Sequence, residues 1–153
     1  MDTTKSDHLI LVVENDESMG RVLRTAFEDE GYRVHLASRA PTASEIEDIH
    51  PDLLMLDVAQ SHASAVWDLV QEIKATPRVA ETPIVVCSGG GAFVAAEDVR
   101  VHAEASAILA KPFTLDVLLP VVATALDRRD RFAAVEELIA EPAAIWDLGS
   151  IGF

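Results

Sequence analysis

LILVVENDESMGRVLRTAFEDEG, residues 9–31, is the stretch that decides the fold. Its first five residues, Leu9-Ile10-Leu11-Val12-Val13, are an unbroken aliphatic run. A strand covered on both faces reads this way, as in a parallel sheet. Polar Glu14-Asn15-Asp16 follows. Then Met19, Val22, Leu23, Ala26 and Phe27 recur at the spacing of one helix face, and Gly31 stands where a helix ends. Strand, polar turn and amphipathic helix make one βα unit.

The same unit recurs outward from it. Tyr32 to Ala37 reads as a second, more polar strand, and Pro41 to Ile49 as a short helix with Pro in its first turn. Leu53-Leu54-Met55-Leu56 is a third buried strand ending at Asp57. Val66, Leu69, Val70 and Ile73 form the next helix stripe. Pro83 opens a fourth strand, Ile84-Val85-Val86-Cys87, ending at Ser88. Ala92 to Ala103 is a weaker helix. Ala107-Ile108-Leu109-Ala110 is a fifth strand ending at Lys111-Pro112. Thr114 can cap a helix carrying Leu115, Leu118, Leu119, Val122 and Leu126, with Pro120 expected to kink it or remove one hydrogen bond. Five βα units between Leu9 and Leu126 predict a doubly wound α/β domain built on a five-stranded parallel sheet. Asp127-Arg128-Arg129-Asp130-Arg131 then interrupts the apolar pattern. Phe132, Val135, Leu138 and Ile139 predict an extra C-terminal helix that Pro142 ends. The division expected is 1–128 for the α/β domain and 129–153 for a helical extension.

Composition agrees and narrows the function. The 153 residues are 50% hydrophobic and 5% aromatic, so the core is aliphatic. The formal net charge is -14, from 12 basic and 26 acidic residues. Direct nucleic-acid binding needs clustered Lys and Arg, and an anionic membrane surface repels such a chain. The single cysteine, Cys87, rules out an internal disulfide and reads as a small buried strand residue. No apolar run approaches the roughly 20 residues that span a bilayer, and the first residues lack the pattern of a secretory signal. The location expected is cytoplasmic.

In open parallel α/β sheets, sites form beyond the carboxyl ends of the strands. There this sequence places Glu14, Asn15 and Asp16, then Asp57, Ser88 and Lys111. Carboxylates suit a hard cation such as Mg²⁺. An aspartate can accept a phosphoryl group covalently, and an ammonium and a hydroxyl beside it stabilise the charge in transfer. A dinucleotide site is excluded because Glu14-Asn15-Asp16-Glu17-Ser18 has no glycine. Gly89-Gly90-Gly91 lacks the Lys-Ser/Thr pair of a phosphate loop and reads as a pliable loop that can also cradle an anion.

Four stretches carry a resemblance over roughly Leu9 to Arg128. They are ILVVENDESMGRVLRTAFEDEGYRV (10–34), PDLLMLD (51–57), TPIVVCS (82–88) and ILAKPF (108–113). In this order and spacing they resemble the receiver domain of bacterial two-component response regulators. The resemblance implies a flavodoxin-like sheet of strand order 2-1-3-4-5 with helices on both faces. It implies that Asp57 accepts phosphate from a histidine kinase or phosphotransfer protein, with Ser88 and Lys111 in the hydroxyl and cationic roles. Mg²⁺ would sit against Glu14, Asn15, Asp57 and the backbone carbonyl of Ala59. The Lys111-Pro112 bond is expected to be cis. The phosphorylated surface around Ala92–Ala103, the fifth strand and the helix after it would then switch binding of a downstream protein.

The sequence also departs from the family. Asn15 stands where a metal-binding aspartate is usual, which weakens Mg²⁺ unless Asp16 compensates. Ser61 and Ala65 replace a usual Pro and Gly, and Ile108 replaces the aromatic that couples the switch. His62 reads as an exposed loop residue. These departures support an alternative, a phosphorylation-independent pseudo-receiver that serves as a protein-binding or dimerising scaffold. An aspartyl-phosphate phosphatase of the haloacid-dehalogenase type needs a second acid at position 59, which is Ala59. The protein is thus expected to catalyse only its own phosphorylation chemistry. The extension, with Ile145, Trp146, Leu148, Ile151 and Phe153 beyond it, is too apolar for a solvated tail. It either packs back on its own domain or makes a homodimer, with a lean toward dimer or partner contact.

Overall fold

The computed structural model describes residues 8–58, 63–89 and 105–139. The segment expected as the weaker helix, Ala92–Ala103, lies outside them, as do Ala59, Ser61, His62, Gly90, Gly91 and the tail beyond Ile139.

The chain alternates as the pattern requires. The elements are β1 (Leu9–Val13), α1 (Glu17–Asp29), β2 (Arg33–Ala37), α2 (Ala43–Ile49), β3 (Leu53–Val58) and α3 (Ala63–Lys74), followed by β4 (Ile84–Gly89), β5 (Ala107–Lys111) and α4 (Leu115–Ile139). The five strands form one sheet in the order β2-β1-β3-β4-β5. Every pairing is parallel, and Val13 beside Leu56 is the last pair of β1 with β3. Among the described residues no helix is long and apolar enough to cross a membrane.

Strand alternation sorts the core into two layers. Leu11, Val13, Leu54, Leu56, Ile84 and Val86 face α2 and α3, where Ile46, Leu69, Val70 and Ile73 meet them. Ile10, Val12, Leu53, Met55, Val85 and Cys87 face α1 and α4, where Leu23, Phe27, Leu118 and Val122 meet them. Covering on both faces explains why β1, β3 and β4 read as continuous aliphatic runs. β2 lies at an edge and is only partly buried, which explains its polar sequence.

Local chemistry sets the helix ends. The Asp16 carboxylate accepts from the Met19 N–H and caps α1. Gly31, at φ 94°, takes the left-handed turn after it. Thr42 and Glu45 make a reciprocal capping box on α2, so Pro41 sits just before the cap and not inside the first turn. The Thr114 carbonyl accepts from Val117 and Leu118 to start α4. α4 runs on without a break through Pro120, which gives up only the bond to the Asp116 carbonyl near the helix start. The expected C-terminal helix is present and continuous with it. The charged residues 127–131 do not interrupt it: Arg128, Arg129 and Arg131 are good helix formers, and Arg131 pairs with Asp127 one turn back at 3.1 Å.

Two polar links tie α4 to the amino-terminal edge of the sheet. Asp52 accepts from the Leu9 N–H at 2.7 Å with one oxygen and from Arg129 at 2.6 Å with the other. His8 Nε2 lies 3.0 Å from Asp130 Oδ2.

Candidate functional site

Parity along each strand decides what meets at the carboxyl edge. Glu14 continues the alternation of Ile10 and Val12. Asp57 continues that of Leu53 and Met55, and Lys111 that of Ala107 and Leu109. All three therefore fall on the side of the sheet that faces α1 and α4. The structure brings them together. Lys111 Nζ is ion-paired with Asp57 Oδ1 and lies 3.8 Å from Glu14 Oε1. The Glu14 side chain is buried, that of Asp57 nearly so, and Lys111 enters from a partly open position.

The electrostatics follow from this crowding. Burial, followed by the neighbouring Asp57 carboxylate, pushes the Glu14 carboxyl up to about 7; the Asp16 backbone amide and Lys111 pull the other way. Glu14 Oε1 and Asp57 Oδ1 are both buried and both face the Lys111 ammonium. Two such oxygens facing one ammonium are chemically suited to a hard cation or to a group bearing partial positive charge. The cation has few carboxylates to choose from, however. Among the described residues no three acidic, His or Cys side chains gather closely enough to hold a metal.

The remaining expected residues are placed as follows. Asn15 is exposed and lines, with Asp57, a cavity of about 330 Å³ among the ends of β1 and β3, α3 and the residues after β2, where Ser38 and Arg39 also line it. The Asp16 carboxylate caps α1, its Oδ1 accepting from the Met19 N–H at 3.0 Å. The Asp16 backbone N–H donates to Glu14 Oε2 at 3.1 Å and helps to orient that carboxylate. Ser88 is buried at the end of β4, in register with Val58, one position beyond the pair Asp57 and Cys87. Its alternation is that of Ile84 and Val86. The Lys111-Pro112 bond is cis, as expected. Ala59, whose carbonyl the resemblance makes a metal ligand, lies outside the described residues. Burial pushes the Cys87 thiol up to about 12, with the Asp57 charge adding to it, so it stays protonated and inert.

One feature of the surface escaped the periodicity. Met19 and Val22 belong to the helix stripe, yet they are 37% and 52% exposed. With Phe113 and Leu115 they line an apolar cleft of about 390 Å³ that reaches Lys111. A helix stripe predicts an apolar face but not how much of it the domain covers.

The fold and this carboxyl-edge cluster define a parallel α/β domain with an acid pair and a lysine at the mouth of its sheet. Residues 10–123 match the family described as the response regulator receiver domain. The chain belongs to that family. Among curated proteins it is 27% identical over 143 residues to the regulatory protein AtoC of Escherichia coli, covering 93% of this chain and 30% of that protein. It is 32% identical over 144 residues to the transcriptional regulatory protein PdtaR of Mycobacterium tuberculosis, covering 90% of this chain and 68% of that protein. The chain thus spans less than a third of the first relative and about two thirds of the second. Among solved structures, NtrX from Brucella abortus in complex with ADP superposes with a TM-score of 0.68 at 27% identity, over 86% of this chain and 29% of that one. A putative response regulator from Chloroflexus aurantiacus gives 0.62 at 25% identity, over 78% of this chain and 98% of that one.

Proposed function

We propose that the chain is a phosphoacceptor of a two-component or phosphorelay system, with Asp57 the acceptor. The observation that carries this reading is the convergence of Lys111 on the Asp57 and Glu14 carboxylates at the carboxyl edge of the sheet. In the step inferred, an Asp57 carboxylate oxygen attacks the phosphorus of a phosphohistidine. The P–N bond breaks and its electron pair leaves with the imidazole, which takes up a proton. The phosphoryl oxygens carry negative charge through the transfer. Lys111 stands ready to pair with them in place of its contact with Asp57, and the Ser88 hydroxyl is the donor on the neighbouring strand.

The buried oxygens of Glu14 and Asp57 that face Lys111 fit Mg²⁺, with the Asn15 amide oxygen and the Ala59 carbonyl completing the protein's share. Bound there, Mg²⁺ would screen the paired carboxylates and neutralise phosphoryl charge. With Asn15 neutral and Asp16 committed to its cap, two carboxylates face the ion, so its affinity is low. The donor is a histidine kinase or phosphotransfer protein, and the apolar cleft of Met19, Val22, Phe113 and Leu115 beside Lys111 is a surface that such a protein would cover. Phosphorylation then alters binding of a downstream protein.

The test is intact-protein mass after incubation with acetyl phosphate and Mg²⁺, with Asp57→Asn as control. A gain of one phosphoryl group by the parent alone is the expected result. No gain by a folded parent would overturn the reading and leave the scaffold role. The diversion of Asp16 to the helix cap is the observation that favours that second reading.

A further inference from the structure

We propose that a cavity at the amino-terminal end of the sheet is the seat of this chain's own segment 140–153, with Trp146 as its anchor. The cavity measures about 870 Å³ and lies at the opposite end of the sheet from Asp57. Its apolar wall comes from Pro83 and Ala107 at the starts of β4 and β5, and from Pro120, Val121, Phe132 and Ala133 on α4. Lys74 and Arg128 line it too, with Glu81 as the opposing charge. Arg129, also on this wall, is committed to Asp52 at 2.6 Å.

The last turns of α4 leave an apolar stripe bare. Phe132 is 52% exposed, Val135 52% and Leu138 63%. Phe132 belongs to both the stripe and the cavity, so the two form one continuous surface. A second copy would have to insert into the cavity as well as cover the stripe, whereas the chain's own continuation begins directly after Leu138 and Ile139.

The chain's own continuation fits better. Residues 140–153 read AEPAAIWDLGSIGF. Ile145, Trp146 and Leu148 supply the apolar anchor, and Glu141 and Asp147 supply charge complementary to Lys74 and Arg128. Pro142 lacks the N–H that a continuing helix would need. Reach is sufficient. Trp146 is seven residues beyond Ile139, up to roughly 23 Å of extended chain. At the helical rise, Phe132 lies roughly 10 Å back along α4 and Arg128 roughly 17 Å. An indole half in an apolar wall and half at a charged rim matches the amphipathic character of tryptophan.

The experiment uses the full chain carrying Trp67→Phe, which leaves Trp146 as its one tryptophan. Fluorescence emission and acrylamide quenching are read across a hundredfold dilution, with mass by analytical ultracentrifugation. The expected result is a monomer with blue-shifted emission, quenched several-fold less than the denatured chain and unchanged by dilution. Ala133→Arg fills the cavity wall from an exposed position. It should shift the emission to the red and restore quenching while far-UV circular dichroism is kept. If it does not fold, Thr124→Arg on the same exposed wall serves instead. Solvent-like emission in the folded parent would overturn the proposal. A blue shift that fades on dilution would overturn it in favour of a second copy. Emission indifferent to the cavity substitutions would place Trp146 elsewhere and overturn it too.

Discussion

At Glu14 and Asp57 two carboxylates share one buried corner, and a single ammonium faces both. Because the Glu14 carboxyl is raised to about 7 from an ordinary value of 4.5, its protonated form is favoured in the folded protein. Its contribution to stability is therefore full below pH 4.5 and is lost as pH rises through 7. Glu14→Gln should flatten that stretch of the stability profile and raise the melting temperature at pH 8, read by thermal denaturation without added metal. A profile that keeps its slope would mean that another group titrates there. Under the proposed function, Asn15→Asp adds a third carboxylate at the mouth of the sheet. It should lower the Mg²⁺ midpoint about tenfold, followed by the Mg²⁺-dependent rise in melting temperature, since a charged oxygen donor replaces a neutral one. Cys87 should resist thiol reagents until the protein unfolds, because its thiol is both buried and raised.

Helix ends and anchors are where single substitutions act on whole elements. The Thr42–Glu45 box holds α2, a helix of seven residues, too short to stand by propensity alone. Thr42→Ala should cost about 1 kcal/mol, measured by urea denaturation. α1 approaches β2 closely at Gly20, where an added Cβ would meet Leu36 Cδ2 at 3.0 Å. α4 depends on the link between Arg129 and Asp52. Past this point the residues whose burial is described, 130–135 and Leu138, are exposed. Arg129→Ala should speed amide exchange in 130–139 severalfold and leave 115–126 protected, because Leu118, Val122, Ala125 and Leu126 hold that half in the core.

Over the whole molecule the two ends of the sheet have separate duties. The carboxyl end gathers Glu14, Asp57 and Lys111. The amino end carries the Asp52–Arg129 link, the His8–Asp130 contact and the large cavity. A rigid parallel sheet with two covered faces lies between them. Phe27→Ala, in the buried layer between α1 and the sheet, should cost about 3–5 kcal/mol and lower both ends together in one transition.

The five strands, their order along the chain and the residues at their ends were legible in the sequence. Continuous aliphatic runs mark doubly covered strands, and a strand's carboxyl terminus is fixed by where the run stops. Glu14, Asp57, Ser88 and Lys111 could be named for that reason, and the strand order came from resemblance. Local pattern does not carry the rest. Asp16 and Asn15 look equally available in sequence, and only the fold shows Asp16 turned to its cap. Met19 and Leu23 share one stripe, yet packing buries only Leu23. The charged run 127–131 looked like a boundary, and tertiary anchoring by Asp52 lets one helix pass through it. Periodicity is set by neighbours three or four residues apart. The acid pair and its lysine join segments many residues apart, and only the packing of helices on both faces of the sheet brings them within reach.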